Sequence, residues 1–221
     1  MNKITLTADG SNTLFNETIG EHYHSTHGAL QESKHVFIEA GLKHVIQDKE
    51  EISIFEVGFG TGLNFLLTLE YCNEHHKKLL YYAIEAFPLT KEELTSTGYQ
   101  QYVLQGTWDS LLTHYEAALL QETSLAPGRG LYIPFDTLEK YETNQQFDLI
   151  YYDAFSVQHQ PEMWTDEIIS HACSFLKKGG VLVTYAITGK LKRALKSIGF
   201  TIEKLQGAPG KREMLRATKD Q

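Results

Sequence analysis

The sequence predicts an α/β protein, built on a seven-stranded, mostly parallel sheet that closes with an antiparallel hairpin at its C-terminal end. Three observations carry this. The stretch ISIFEVGFGTGLNF (52–65) passes from strand residues through Glu56 and Val57 into glycines at 58, 60 and 62, and a helix-compatible run to Glu74 follows. Short apolar strand-like runs then recur at 79–84, 131–135, 147–152 and 180–185, separated by helical patterns. Finally, 200–205 and 213–217 flank GAPGKR as a closing hairpin, where a repeated dinucleotide fold would show another βα unit.

Taken in order, residues 1–20 are polar, and Thr5-Leu6-Thr7 and Thr13-Leu14-Phe15 flank the turn-favouring pair Asp9-Gly10, which suggests a small hairpin. Ala29, Leu30, Ser33, Val36, Phe37 and Ala40 recur at three and four, so a helix is expected there. Tyr23, His24, Ser25 and His27 cluster just before it. The H-x-H-x-x-H pattern has neither nearby thiols nor an i,i+4 histidine pair, so no metal site is expected. The loop reads instead as a lid or ligand-contacting segment, and residues 1–40 as an appendage and lid on a single domain spanning 1–221. The strand 79–84 ends at Glu85, residues 88–125 look helical in two or three pieces, and 131–135 ends at Asp136. The strand 147–152 delivers Asp153, a helix covers 165–176, and Gly189–Ser197 forms a basic helix.

Composition sets outer bounds. The chain has 221 residues, 42% hydrophobic and 22% charged, enough for one domain with a sizeable core. No apolar run approaches the roughly 18 residues of a membrane span, and MNKITLTADG lacks the apolar segment of a signal peptide, so a cytoplasmic protein is expected. Cys72 and Cys173 are expected to be reduced core residues. The net charge of −8 is unevenly spread: residues 177–221 hold eleven Lys/Arg and three acids, a balance of +8, leaving −16 on the first 176. Such asymmetry fits a polyanion-binding face on an acidic body, or a solvated basic end.

Open α/β sheets bind ligands beyond the carboxyl ends of their strands, so Glu56, Glu85 and Asp153 point to one crevice. The glycine spacing is E-x-G-x-G-x-G rather than the G-x-G-x-x-G that cradles a pyrophosphate. It resembles the first motif of class I S-adenosylmethionine-dependent methyltransferases, which have a Rossmann-like fold. A carboxylate before the glycines suits a cofactor with a sulfonium and an amino-acid head, and would repel a pyrophosphate. Glu85 closes the second strand where such sites hold ribose hydroxyls, and its two acceptor oxygens match a vicinal diol.

Further segments narrow the resemblance. EVGFGTGLNF, IEAFPLT, DAF-x5-PEMWT, TY-x3-GKLKRALKSIGF and GKREML together resemble the methyltransferase domain of MnmC-type tRNA modification enzymes, over residues 20–217. That resemblance implies N-methylation of 5-aminomethyluridine, or its 2-thio form, at the tRNA wobble position. It also implies a stand-alone domain, since no second G-x-G-x-x-G for an FAD-dependent oxidase is seen, and hence a separate enzyme supplying the aminomethyl group. Carried over residue by residue, Glu56, Gly58, Gly60, Thr61, Gly62 and Asn64 would line the methionine half of the cofactor. Glu85 would take the ribose, Asp136 the adenine side, and Ser25 and Glu32 would add cofactor contacts. Asp153 falls on the catalytic aspartate, and Lys211, Arg212 and Glu213 on the tail motif. The family loop D-G-F-A-P-x-K-N-P reads D-A-F-S-V-Q-H-Q-P here, so His159 stands for its lysine and Gln160 for its asparagine.

The chemistry asked of these residues is modest. An alkylamine must lose its proton before it attacks a methyl group, and Asp153 is the expected acceptor or base for that nitrogen. Phe155, Trp164 and Tyr185 are either walls for a flipped-out pyrimidine or ordinary core aromatics. Lys190, Lys192, Arg193, Lys196, Lys211 and Arg212 would meet the phosphates of an anticodon stem-loop. The competing expectations are a class I methyltransferase acting on a small-molecule or protein amine, and a cofactor-binding scaffold for another modification enzyme.

Overall fold

The computed structural model describes residues 2–220, so residues 1 and 221 of the expected domain lie outside the described residues. The predicted N-terminal hairpin forms: β1 (Lys3–Leu6) pairs antiparallel with β2 (Asn12–Asn16), Leu6 opposite Asn12. A short β3 (Glu21–His22) adds to β2, giving a separate three-stranded sheet.

The helix expected from Ala29 is longer and partly wider than a regular α-helix. It runs as α1 (Ala29–Ser33), a π-helical segment over Lys34–Leu42, and α2 (Lys43–Ile46). The spacing of three and four holds as far as Val36 and Phe37; beyond that Ile38, Gly41 and Leu42 are buried and Ala40 is not. A π turn bonds i to i+5 and so advances the buried face by an extra residue, which a period of 3.6 does not anticipate. Gly41 marks the closest packing, where an added Cβ would come 2.9 Å from Val183 and 3.2 Å from Tyr151.

The main sheet follows. β4 (Glu51–Val57) leads through the glycine turn to α3 (Leu63–Glu74), and β5 (Lys78–Ile84) to α4 (Lys91–Ser96) and α5 (Gln105–Ala118). Next come β6 (Thr123–Ala126), β7 (Arg129–Tyr132) and β8 (Phe147–Tyr152), then α6 (Asp166–Ser174) and β9 (Leu176–Thr184). The last elements are α7 (Gly189–Ser197), β10 (Phe200–Gln206) and β11 (Glu213–Lys219). The order is β10-β11-β9-β8-β4-β5-β7-β6. The five strands from β7 across to β9 are mutually parallel, and β11 is antiparallel to both β9 and β10.

This is the predicted fold with one strand more than the seven expected. β6 begins within the stretch 88–125 read as helical and ends just beyond it. Its residues are only half-buried or exposed, so the apolar run that marks an inner strand is missing, and the Pro127-Gly128 turn folds it onto β7. β7 also stops at Tyr132, short of Phe135: Pro134 has no N–H to give a ladder, and a single bridge between Glu85 and Phe135 continues the pairing. The core divides into two clusters, one involving α3, α5 and the 29–46 helix, the other α6 and α7. Cys72 and Cys173 are buried, unpaired thiols.

Candidate active site

The carboxyl ends of β4, β5 and β8 open into a cavity of about 900 Å³. Its floor is the turn after β4. Gly60 there has φ +50, and a Cβ on it would sit 2.9 Å from the ring of Tyr23, so any side chain would strain the turn and press on the N-terminal segment. Gly62 caps the start of α3. The strand ends are tied together by Gly58 N–H donating to the Ile84 carbonyl (3.1 Å) and Asp153 N–H to the Val57 carbonyl (3.1 Å).

Of the residues expected at the site, Gly58, Gly60, Thr61, Glu85, Asp136, Ser25, Glu32, Asp153, Phe155, Tyr185 and Lys211 line this one cavity. Glu85 accepts from Gly60 N–H (2.9 Å) and Phe87 N–H (2.8 Å), and burial raises its pKa above the usual carboxylate range. The Ala86 and Phe59 N–H groups also act to lower it, and the carboxylate lines the cavity. Asp136 accepts from Thr137 N–H (2.7 Å), and apolar Leu138, Ile84 and Phe87 line the same cavity.

Other expected residues are elsewhere. Glu56 is only 1% exposed and Asn64 2%, and neither lines the cavity. Glu56 instead accepts from Asn64 Nδ2 (2.9 Å) and from the Tyr81 hydroxyl (2.8 Å). Trp164 is buried behind the wall, packed on Tyr152 and donating from Nε1 to the Phe155 carbonyl (2.8 Å), which fits the core-aromatic alternative. Gly62, Lys190, Lys192, Arg193, Arg212 and Glu213 also lie outside the lining. Glu213 is 3.9 Å from Lys204.

Asp153 stands on the cavity wall. Asn64 Nδ2 donates to its Oδ2 (2.8 Å), while Oδ1 makes no hydrogen bond among the described residues. Burial, then the nearby Glu32 carboxylate, raise its pKa to about 7, against the opposing pull of Asn64 and Lys211. Lys211 departs from the phosphate contact expected of it: it turns inward to pair with Glu32 at 2.6 Å, its ammonium 3.7 Å from the centre of the Tyr185 ring. The 207–212 turn brings it there. Gly210 in that turn has φ +86, and the ring of His27 fills the place a Cβ would take.

The N-terminal loop contributes contacts that the sequence did not reveal. His24 Nε2 meets the Thr61 hydroxyl at 2.7 Å, and burial lowers the imidazole pKa to about 4, so it stays neutral near pH 7. Tyr23 sits against Gly60 and, edge-on, against Phe155 at 5.1 Å between centroids. Glu21 accepts from Ser156 N–H (2.8 Å) in the loop after β8, and its carboxylate is 3.4 Å from His159. The only signal for these was the clustering of Tyr23 and His24 before a helix, since their partners are far away in the chain.

The lining carries eight carboxylates (Glu21, Glu32, Glu85, Asp136, Glu139, Asp153, Glu162, Glu167) and a single lysine, Lys211. Such a cavity concentrates cations and disfavours a pyrophosphate. The volume falls in the range of small-molecule pockets, and glycine backbone, a diol-ready carboxylate and an apolar shelf meet in it. These residues fit a cationic nucleoside cofactor. No group of three or more potential metal ligands is found among the described residues, and no helix is long and apolar enough to cross a membrane.

Comparison with known proteins agrees with this reading. A family model described as S-adenosyl-L-methionine-dependent methyltransferase matches residues 105–220. The tRNA 5-methylaminomethyl-2-thiouridine biosynthesis bifunctional protein MnmC of Actinobacillus pleuropneumoniae is 30% identical over 98% of this chain and 35% of its own length. Its counterpart in Magnetococcus marinus is 33% identical over 88% of this chain and 30% of its own. The chain thus spans about a third of the length of the curated relatives it matches. Among solved structures, MNMC2 from Aquifex aeolicus superposes with a TM-score of 0.77 at 23% identity, over 100% of this chain and 70% of that one, and so shares the fold. Spermidine synthase from Thermotoga maritima shares it more loosely, at a TM-score of 0.53 and 13% identity over 100% of this chain and 70% of its own. With the family match covering half of the chain and the glycine turn and acidic cavity in place, this protein belongs to the S-adenosyl-L-methionine-dependent methyltransferases.

Proposed function

We propose that this protein methylates the amine of 5-aminomethyluridine, with or without 2-thiolation, at the wobble position of tRNA. The observation that carries the reading is Asp153: a carboxylate with its pKa at about 7, one oxygen left for a ligand, on the wall of a strongly acidic cavity. The curated relatives are named for the biosynthesis of the corresponding nucleoside.

S-adenosylmethionine, when bound, supplies an electrophilic methyl group. Gly58, Gly60 and Thr61 would hold its methionine half, Glu85 its ribose, and Asp136 with the apolar shelf its adenine; Ser25 and Glu32 would add contacts from the N-terminal loop and α1. The acceptor amine arrives mostly protonated, and the ring of carboxylates favours that cation. Asp153 takes one N–H proton on Oδ1, which frees the nitrogen lone pair. A base with a pKa of about 7 is half-ionised at neutral pH, so it is both available and strong enough to act. Phe155 and Tyr185 offer flat faces for the pyrimidine, with Lys211 fixed against Tyr185.

Phosphates are too anionic for this cavity and belong at its rim. Lys190, Lys192, Arg193 and Arg212 form no ion pair among the described residues, and α7 and the 207–212 turn both follow carboxyl ends of sheet strands. They are the proposed contacts for the anticodon stem-loop. A cytoplasmic location and a separate enzyme supplying the aminomethyl group belong to the same reading.

The test is to incubate the purified protein with isotopically labelled S-adenosylmethionine and tRNA bearing or lacking 5-aminomethyluridine, then to identify the labelled nucleoside. Label in 5-methylaminomethyluridine, dependent on the aminomethyl group, supports the proposal. Label elsewhere, or transfer to a small-molecule or protein amine in preference to tRNA, refutes it.

A further inference from the structure

We propose that Glu56 is a positioning residue, which acts through Asn64 to aim the Asp153 carboxylate at the acceptor and makes no contact with the cofactor. The inference rests on the reading of Asp153 as the group that receives the amine's proton. The acid before the glycines would ordinarily be assigned to the methionine head. In this chain it is buried and lies outside the cavity lining.

The geometry is a chain of hydrogen bonds running from the sheet interior to the cavity. The Tyr81 hydroxyl donates to Glu56 Oε2 (2.8 Å), and Asn64 Nδ2 donates to Glu56 Oε1 (2.9 Å). The same Nδ2 donates its second hydrogen to Asp153 Oδ2 (2.8 Å). One amide thus bridges two carboxyl groups, one of them sealed in the core and the other on the cavity wall. Asn64 Oδ1 is buried with no hydrogen-bond partner among the described residues. A free amide would rotate to satisfy that oxygen, but rotation would set it against two carboxyl oxygens. The orphaned oxygen is what remains when the Nδ2 partners dictate the orientation.

The consequence for Asp153 is direct. With Oδ2 held, Oδ1 is the oxygen left for the acceptor. Burial and the neighbouring Asp153 push the pKa of Glu56 well above the usual carboxylate range. The other charged groups acting on Asp153 are Glu32 on α1 and its partner Lys211 in the 207–212 turn. Tyr185, just after β9, senses Asp153 as well. None of them bonds to Oδ2, so the orientation depends on Asn64 and, behind it, Glu56.

Three variants decide the matter: Glu56→Gln, which keeps an uncharged hydrogen-bonding group, and Glu56→Leu and Asn64→Leu, which break the chain. Each is measured for S-adenosylhomocysteine affinity by calorimetry, for kcat at saturating cofactor, and for Asp153 titration by carboxyl 13C NMR, assigned with Asp153→Asn. Affinity should stay within about threefold of the natural protein in Glu56→Gln, since no cofactor charge is lost. The kcat should fall severalfold in Glu56→Gln and about 100-fold or more in the two leucine variants. The Asp153 midpoint, about 7 in the natural protein, should move upward in Asn64→Leu, because the donor that favours the ionised form is gone. Weakening of S-adenosylhomocysteine by about tenfold or more in Glu56→Gln, with kcat at saturation and the Asp153 titration unmoved, would overturn the proposal. If Glu56→Leu does not fold, Glu56→Gln and Asn64→Leu still decide it. If the natural protein transfers no methyl to aminomethyluridine tRNA, the proposed function falls alone, while affinity and titration continue to test Glu56.

Discussion

Asp153 keeps its proton more tightly in the fold than it would in an unfolded chain, because burial and Glu32 both work against its charge. Its pKa rises from 3.8 to about 7, so the folded state binds more protons between those values. Stability from this group is therefore full below about pH 4 and lost as pH rises through about 7. Asp153→Asn should raise Tm by at least about 2 °C at pH 8 and by little at pH 4, as scanning calorimetry at both values would show. That loss of stability is consistent with the proposed role of Asp153 as a base near neutrality. Gly60 is constrained in the opposite sense, by space rather than charge. Gly60→Ala places a Cβ 2.9 Å from Tyr23 on a left-handed backbone, and should weaken S-adenosylmethionine by about tenfold or more in calorimetry. Both positions were legible in the sequence because each closes a strand or follows one within a glycine motif. The bridging role of Asn64 was not, since it depends on two carboxylates 8 and 89 residues away.

At the level of elements, a cluster around the buried Asp148 ties the amino ends of β4 and β8. Asp148 accepts from Ser53 N–H (3.0 Å) and the Ser53 hydroxyl (2.8 Å), and from Lys49 (2.5 Å) and Lys177 (3.0 Å). Burial alone would raise its pKa, but these donors overcome it and hold the carboxyl down at about 2. A depressed pKa stabilises above the unfolded value of 3.8, and that contribution is lost as pH falls through about 2. Asp148→Ala should cost about 2–3 kcal/mol in urea unfolding at pH 7, with a smaller difference near pH 3. The cluster also takes up Lys177, one of the basic residues counted in the C-terminal stretch. Inner strands and capped helices were readable here: α3, β8 and α7 begin and end where the pattern placed them. The π-helical segment and β6 were not, one because its period departs from 3.6, the other because an edge strand lacks a two-sided apolar run.

Across the whole molecule, charge separates the two ends of the proposed substrate. The cavity is acidic, while the basic C-terminal stretch is partly spent on internal partners: Lys177 on Asp148, Arg216 on Glu203, Lys219 on the Cys173 and Leu176 carbonyls, and Lys211 on Glu32. Of the cations behind the balance of +8, those on α7, Arg212 and Lys178 make no ion pair among the described residues. The affinity for tRNA should fall steeply with salt, and Lys190→Ala/Arg193→Ala should reduce the slope of log K against log[salt] by about 1.5–2. An unchanged slope would place the phosphates on another face. Composition showed the asymmetry but could not show which cations were already paired.

The proposed mechanism turns on Asp153 handling the amine's proton in a cavity that would bind the methyl donor independently of it. The decisive measurement takes one preparation of Asp153→Asn and follows both S-adenosylhomocysteine affinity and methyl transfer to aminomethyluridine tRNA. Affinity should stay within about threefold of the natural protein while kcat falls by about 100-fold or more. Transfer that survives within about tenfold of the natural rate would contradict the role given to Asp153.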